Sequence, residues 1–119
     1  MSKGIELIAE ERRRQIEVEG WTPEHDDEHD GNQIAMAAAC YASPVPLNAE
    51  IEVPCGCREA SCQHSPFGKH MWVNAWPWGA EWDKRKKHSR VRCLVIAGAL
   101  IAAEIDRLLR AEDTHADKH

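Results

Sequence analysis

Apolar residues recur at spacings of three and four between residues 89 and 111, and this period is the strongest structural signal in the chain. The apolar stripe consists of Val91, Leu94, Val95, Gly98, Ile101, Ala102, Ile105, Leu108 and Leu109. It predicts one long helix that packs its apolar side against a core. Gly98 lies within the stripe, where the absence of a side chain favours the close approach of another helix.

Two shorter helices are predicted upstream. Residues 3–19 are rich in helix-forming side chains and end at Gly20, which readily adopts the left-handed conformation that caps a helix. Residues 32–42 form an alanine-rich run of small side chains, and Pro44 stops it. Between these two helices Thr22 gives a further start signal, from which we expect only a short turn.

The expected fold is therefore all-α, a small bundle of three main helices with a long loop between the second and the third. We place this single helical domain at residues 1–111 and a frayed tail at residues 112–119. The inserted loop, residues 44–88, shows no helical period and is far longer than a usual helix connection, so it needs an anchor of its own. Because three such helices enclose a thin core, we expect a homo-oligomer, namely a dimer.

The inserted loop supplies one anchor in the arrangement C-x-C-x4-C-x-H. Three thiolates and one imidazole fill the tetrahedral coordination of a structural zinc ion, so the pattern predicts a zinc-stapled loop. The four ligands are Cys55, Cys57, Cys62 and His64. The alternative is a loop whose free cysteines are incidental. Cys40 and Cys93 lie in the predicted helices, where we expect buried apolar side chains rather than ligands.

Tryptophans and basic residues follow in the same loop. Four of the five tryptophans lie within residues 72–82, and a basic run begins directly after them. Aromatic rings beside cations suit a protein partner or an anionic ligand such as a nucleotide. The candidate binding residues are Trp76, Trp78, Trp82, Lys84, Arg85, Lys86 and Lys87. The alternatives are tryptophans that close a core over the loop, and a solvated entry to the third helix.

Charge and hydropathy limit the partners further. The formal net charge of −5 argues against general nucleic-acid binding, which needs a positive surface. No apolar run approaches the roughly 18 residues that a membrane span requires. The N-terminus leads directly into a charged helix, unlike the apolar stretch of a signal peptide. We therefore expect a cytoplasmic protein without a membrane partner.

An acidic segment, residues 24–30, holds two histidines among its carboxylates. On a helix His25 and His29 would lie one turn apart on the same face, and imidazole with carboxylate is a common ligand set for transition metals. This pair is the alternative, second metal site. The competing interpretation is an acidic surface turn.

Longer strings carry a family resemblance. Residues 11–29, which contain the signature EGWTPEHDDEH, are joined by residues 37–42, 76–78 and 97–105. Together they resemble a widespread family of small phage and prophage proteins of unassigned function, over most of the chain except residues 44–71. The resemblance implies an accessory protein in the cytoplasm of the bacterial host. It would act by binding a host protein, as an inhibitor of a defence or nucleic-acid-processing factor, with no catalytic residues.

The same family is remotely similar to MazG-like all-α nucleotide pyrophosphohydrolases, whose carboxylates hold magnesium. The resemblance therefore implies an alternative, a nucleoside triphosphate pyrophosphohydrolase that requires magnesium or manganese. Its site would draw on Glu10, Glu11, Asp26, Asp27 and Glu104. This chain has Asn32 and Cys93 where family members usually have carboxylates. A second alternative is a nucleotide-binding sponge that uses Trp78 and Lys86 without chemistry.

Overall fold

A computed structural model describes residues 2–53 and 69–117 of the chain, and this part is mostly helical. In chain order its elements are α1 (Lys3–Glu17), α2 (Pro23–Asp27), α3 (Gln33–Ala42), β1 (Asn48–Val53), β2 (Lys69–Asn74) and α4 (Arg90–Asp117). Two 3-10 turns, Ala80–Trp82 and Arg85–Lys87, lie between β2 and α4. None of the helices in the described ranges combines the length and apolar composition needed to cross a membrane.

The core lies between α3 and one face of α4, which is not the face that the sequence predicts. Six members of the predicted stripe are exposed instead: Val91, Leu94, Ile101, Ile105, Leu108 and Leu109. The buried residues of the core are Ile34, Ala37, Ala38, Tyr41, Cys93, Ile96, Ala97, Leu100 and Ala103. Four of these nine are alanines, and small side chains at a helix contact let the two backbones approach closely. Cys40 and Cys93 are buried thiols in α3 and α4, as the sequence predicts. Burial raises the pKa of Cys40, which keeps this thiol uncharged.

Helix α1 packs on α4 at Gly98. A Cβ atom at this position would come within 2.6 Å of Cδ1 of Ile8, so the isoleucine occupies the space that a side chain would need. The predicted close approach is therefore confirmed, and α1 is the helix that makes it. Ile8 thus contacts Gly98, whereas Glu11, later in α1, pairs with Arg92, earlier in α4. The two helices are antiparallel.

A buried polar cluster strengthens this contact. Glu11 and Gln15 have almost no solvent exposure, and Gln15 Nε2 donates a hydrogen bond to Glu11 Oε2 at 3.1 Å. Burial by itself would raise the pKa of Glu11, but hydrogen bonds and charges from Arg14 and Arg92 outweigh burial and lower it. The ion pairs are therefore present at neutral pH, and their contribution to stability is lost only as pH falls through this lowered pKa.

The structure corrects the expected fold in its details. The count of three helices is too low, because Thr22 caps a fourth, α2, by accepting a hydrogen bond from the backbone N–H of His25 at 3.3 Å. The all-α class omits a two-stranded antiparallel sheet inside the predicted loop, with Asn48 opposite Asn74 and Val53 opposite Lys69. Polar and apolar residues alternate along Asn48–Val53, which is the period of a strand.

Helix α4 also extends further than expected. It continues to Asp117. The sequence predicts an end of the domain at residue 111, followed by a frayed tail. The physical reason is that residues 112–117 contain neither glycine nor proline, so nothing in the local sequence ends the helix. Residues 118–119 lie outside the described residues.

Gly98→Leu should destabilise the protein, because the new side chain and Ile8 would compete for one space. Overpacking of this kind typically costs about 1–3 kcal/mol. The free energy of unfolding, measured by urea denaturation, should therefore fall in Gly98→Leu and recover in part when Ile8→Ala is added. Additive losses in the double variant would show that the two residues are not in contact.

Candidate ligand-binding cleft

An aromatic cleft of about 340 Å³ opens between α2, α3, α4 and the segment that follows β2. Four tryptophans line it, together with Tyr41 and two histidines from the acidic segment. Ile34 and Leu100 form apolar parts of its wall. A concave, mostly apolar space of this size is at the lower end of the range typical of small-molecule sites. We call it the aromatic cleft.

One wall of the aromatic cleft comes from the N-terminal side of α2. Gly20 has a φ of +74°, and after this turn the backbone N–H of Trp21 donates to the carbonyl of Gln15 at 2.9 Å. The Trp21 ring stacks on His25 with a centroid distance of 6.4 Å and an interplanar angle of 7°. The His25 and His29 rings meet edge to face at 5.0 Å. This wall is thus a continuous row of rings.

The opposite wall comes from the segment after β2. Ala75 extends the hairpin by donating its backbone N–H to the carbonyl of Leu47 at 3.0 Å. Trp76 then meets Tyr41 edge to face at 5.8 Å and Trp78 at 5.6 Å. Trp76 Nε1 donates to the carbonyl of Gly79 at 3.1 Å, which holds the segment in a tight turn. The sheet therefore delivers two tryptophan rings to the cleft.

Trp78 joins the two walls. Its ring lies 5.4 Å from His29 on one side and 5.6 Å from Trp76 on the other. The row of aromatic contacts therefore runs without a break from Trp21 around to Tyr41. Burial raises the pKa of Tyr41, so its hydroxyl stays protonated at neutral pH. The lining is uncharged apart from Asp26 and, when protonated, the histidines.

Basic residues lie near one part of this row. The Arg85 guanidinium lies 5.2 Å from the centroid of the Trp76 ring, a cation–π arrangement. Asp83 fixes its orientation, since Arg85 Nε donates to Asp83 Oδ1 at 2.7 Å. Trp82 lines the cleft but is 58% exposed, which is unusual for so large an apolar side chain. The side chains of Lys84, Lys86 and Lys87 are exposed in the same stretch.

Two buried nitrogen atoms on the cleft lining have no hydrogen-bond partner among the described residues: Trp78 Nε1 and His25 Nδ1. An indole nitrogen can only donate a hydrogen bond. A buried polar atom without a partner costs free energy that a ligand can restore. Both atoms lie beneath the surface of the lining, and His25 Nδ1 lies 3.7 Å from Asp26 Oδ1.

The carboxylates proposed for catalysis have a different role in the structure. Glu11 pairs with Arg14 and Arg92, Asp26 with Arg12, Asp27 with Arg110, and Glu104 with Arg107. Glu10 lies exposed on α1. Magnesium sites use carboxylates that converge on the ion, whereas these carboxylates are distributed over α1, α2 and α4 and have arginines as partners. Among the described residues they are not grouped as a metal site.

Of the predicted metal ligands, the structure describes His25 and His29 but not the four zinc ligands. Cys55, Cys57, Cys62 and His64 lie in residues 54–68, outside the described residues. His25 and His29 do come together, as their spacing suggested, but as part of the aromatic wall. Among residues 2–53 and 69–117 no three histidine, cysteine, aspartate or glutamate side chains are grouped as a metal site.

The sequence identified part of the cleft. Trp76, Trp78 and Trp82 line it together, and Arg85 lies on Trp76, so these candidate binding residues do share one region. Trp21 and Tyr41 were missed. For Trp21 a signal existed: it directly precedes the helix cap Thr22, a position from which an apolar side chain often packs back on the first turn.

Comparison with known proteins gives no further constraint on this site. No protein family, curated protein or solved structure matches the chain. The described residues form a small, mostly helical domain with an aromatic cleft.

Asp26→Asn should destabilise the protein strongly. Asp26 is buried, and its Oδ2 accepts a hydrogen bond from Arg12 Nη2 at 3.0 Å, so the variant would leave the guanidinium without its counter-charge. Breaking such a pair typically costs about 3 kcal/mol or more in the free energy of unfolding. Asp27→Asn is the matched control, because the side chain of Asp27 is 51% exposed. Its loss should stay below about 1 kcal/mol.

Urea denaturation of both variants measures these losses. Equal, small losses would contradict an anchoring role for Asp26.

Proposed function

We propose that this protein acts by binding, and that the aromatic cleft holds a nucleotide-like ligand, a planar heteroaromatic ring that carries phosphate. The observation that carries this proposal is the row of stacked and edge-to-face rings from Trp21 to Tyr41, which encloses a space of about 340 Å³. A flat ligand can stack on such rings. Nucleobases are flat, and every base has a face that stacks.

The polar atoms of the lining support a nucleobase over a purely hydrocarbon ring. Trp78 Nε1 can donate to a ring nitrogen or a carbonyl oxygen of a base. His25 Nδ1 can act as donor or acceptor, depending on its tautomer. A hydrocarbon ring would leave both atoms without partners, whereas a base carries acceptors and donors along its edge.

Charge near the cleft supports a phosphate on the ligand. Arg85 is oriented by Asp83 and lies against Trp76, so it is held beside the aromatic row. Lys84, Lys86 and Lys87 add exposed positive charge in the neighbouring residues. A local basic group of this kind attracts an anion even though the chain as a whole is acidic.

The phage resemblance suggests what such binding would achieve. We propose that the protein sequesters a small signalling nucleotide and thereby inhibits a host defence factor that depends on it. This proposal combines two expectations from the sequence, inhibition of a host factor and sequestration of a nucleotide. The host protein would then be inhibited because its ligand is removed.

The pyrophosphohydrolase alternative has less support. It needs several carboxylates free to hold magnesium or manganese near a triphosphate. Four of its five candidates, Glu11, Asp26, Asp27 and Glu104, are paired with arginines. Of the four, Asp26 is on the lining of the cleft.

A panel of nucleotides should reveal binding. Nucleoside monophosphates, nucleoside triphosphates and cyclic dinucleotides are titrated into the protein, with tryptophan fluorescence and melting temperature as readouts. At least one should quench fluorescence and raise the melting temperature, because bound ligand stabilises the folded state. Trp82→Ala should weaken binding by roughly five- to 150-fold, given that stacking is worth roughly 1–3 kcal/mol per base.

Matched variants separate stacking from charge in the same experiment. Lys86→Ala should weaken binding and reduce its dependence on salt, whereas Lys3→Ala, an equal loss of charge at the start of α1, should leave both unchanged. The nucleotide should be recovered intact after incubation with magnesium. No response to the whole panel would refute the proposal, and release of pyrophosphate would favour the hydrolase.

We further propose that a structural zinc ion anchors the inserted segment through Cys55, Cys57, Cys62 and His64. One observation supports it: Val53 at the end of β1 pairs with Lys69 at the start of β2. The strands thereby bring together the two ends of the 15-residue stretch that contains all four ligands. Holding the ends close lowers the entropy cost of closing four ligands on one ion.

Elemental analysis of protein purified without a histidine tag should find one zinc per chain. Cys57→Ser should lose the metal, because it removes one of four ligands from a closed tetrahedral site. Cys40→Ser is the matched control and should retain it, since Cys40 is buried in α3. A wild-type protein without zinc would show that the cysteines are incidental.

A further inference from the structure

Helix α4 has a second apolar face, separate from the one that packs on α3. Its members are Val91, Leu94, Ile101, Ile105, Leu108 and Leu109. Each is between 44% and 63% exposed. Scattered exposed apolar residues are normal on a protein surface, but six on one helix face form a continuous patch of the kind that marks an interaction site. We call it the α4 stripe.

The spacing within the α4 stripe indicates what kind of surface would cover it. Val91, Leu94, Gly98, Ile101, Ile105 and Leu108 are separated alternately by three and four residues. This alternation is the pattern of a coiled-coil seam, in which a second helix with the same spacing packs side chains into the gaps of the first. At Gly98 the stripe borders α1, because Ile8 occupies the space beside this glycine.

The charges at the two ends of α4 point to the orientation of that second helix. Basic side chains, including Lys86, Lys87 and Arg90, lie at or just before its N-terminus, and Glu112 and Asp113 lie near its C-terminus. A helix dipole favours the opposite arrangement, with acidic residues at the N-terminus and basic residues at the C-terminus. The charges named here are therefore opposite to those that the helix dipole favours, whereas Arg107 and Arg110 within α4 are already paired with Glu104 and Asp27.

We propose that a second copy of this chain docks on the α4 stripe, with the two α4 helices antiparallel. In this arrangement the basic end of each α4 lies beside the acidic end of the other, so the misplaced charges of each copy are compensated by the partner. A two-fold axis that crosses the stripe near Ile101 brings the same residues of both copies together, as a symmetric dimer requires. The seam of one copy is then covered by an identical seam.

Native mass spectrometry and light scattering of the full chain test the oligomeric state. The wild-type protein should be a dimer. Ile105→Glu should shift it to monomer, because a carboxylate would be buried in the middle of the seam. Val45→Glu is the matched control: Val45 is 62% exposed and lies outside α4, so this variant should remain dimeric. Circular dichroism should show the same helix content in both variants.

Zero-length cross-linking of amines to carboxylates tests the orientation. The two ends of α4 are about 40 Å apart, at 1.5 Å per residue, so a link between Lys86 or Lys87 and Glu112 or Asp113 cannot form within one copy. Such a link, in a mixture of isotope-labelled and unlabelled protein, should join one labelled and one unlabelled chain. A wild-type monomer would overturn the proposal. A dimer that persists in Ile105→Glu, or that lacks these links, would also overturn it.

Discussion

The ion pair between Asp26 and Arg12 holds the most fragile element of this structure in place. Helix α2 has only five residues, and a helix of this length does not persist alone in water. Two arginines from two different helices secure it, since Arg12 of α1 pairs with Asp26 at 3.0 Å and Arg110 of α4 pairs with Asp27 at 2.8 Å. The buried pair with Arg12 is the stronger constraint, because the contact with Arg110 is largely open to solvent. The rings of Trp21, His25 and His29, and with them one wall of the aromatic cleft, depend on this attachment.

The same pair shows how the carboxylates of the acidic segment are used in the described structure. The sequence places two histidines among several carboxylates, which is a plausible ligand set. In the fold the carboxylates turn toward arginines, and the histidines turn toward tryptophans. The carboxylates of Asp26 and Asp27 thereby attach α2 to α1 and α4, while the histidine rings line the aromatic cleft. A lining made of rings and single hydrogen-bonding atoms suits recognition of a flat molecule better than activation of water.

How much of this was predictable depends on how far apart the interacting residues are in the chain. The helix at α4, the alanine-rich α3 and the contact at Gly98 follow from local patterns, and the structure confirms them. The face of α4 that packs on the core was predicted wrongly, because small residues such as Ala97 and Ala103 let α3 approach closely while the larger apolar side chains stay exposed. The grouping of Trp76, Trp78 and Trp82 was also visible, because they are close in sequence. The pairing of Asp27 with Arg110 joins residues 83 positions apart, and no spacing rule reports it. The alternation along β1 is a local strand signal, whereas β2 lacks a regular alternation and becomes recognisable only through its pairing with β1.

The hairpin has a consequence for how this chain can vary. Because β1 and β2 pair along their whole length, from Asn48 opposite Asn74 to Val53 opposite Lys69, they hold the two ends of the intervening stretch together. A longer, shorter or unrelated stretch could connect Val53 to Lys69 while Trp76 and Trp78 keep their positions against α3. The hairpin thus connects the stretch between the strands to the segment that lines the aromatic cleft.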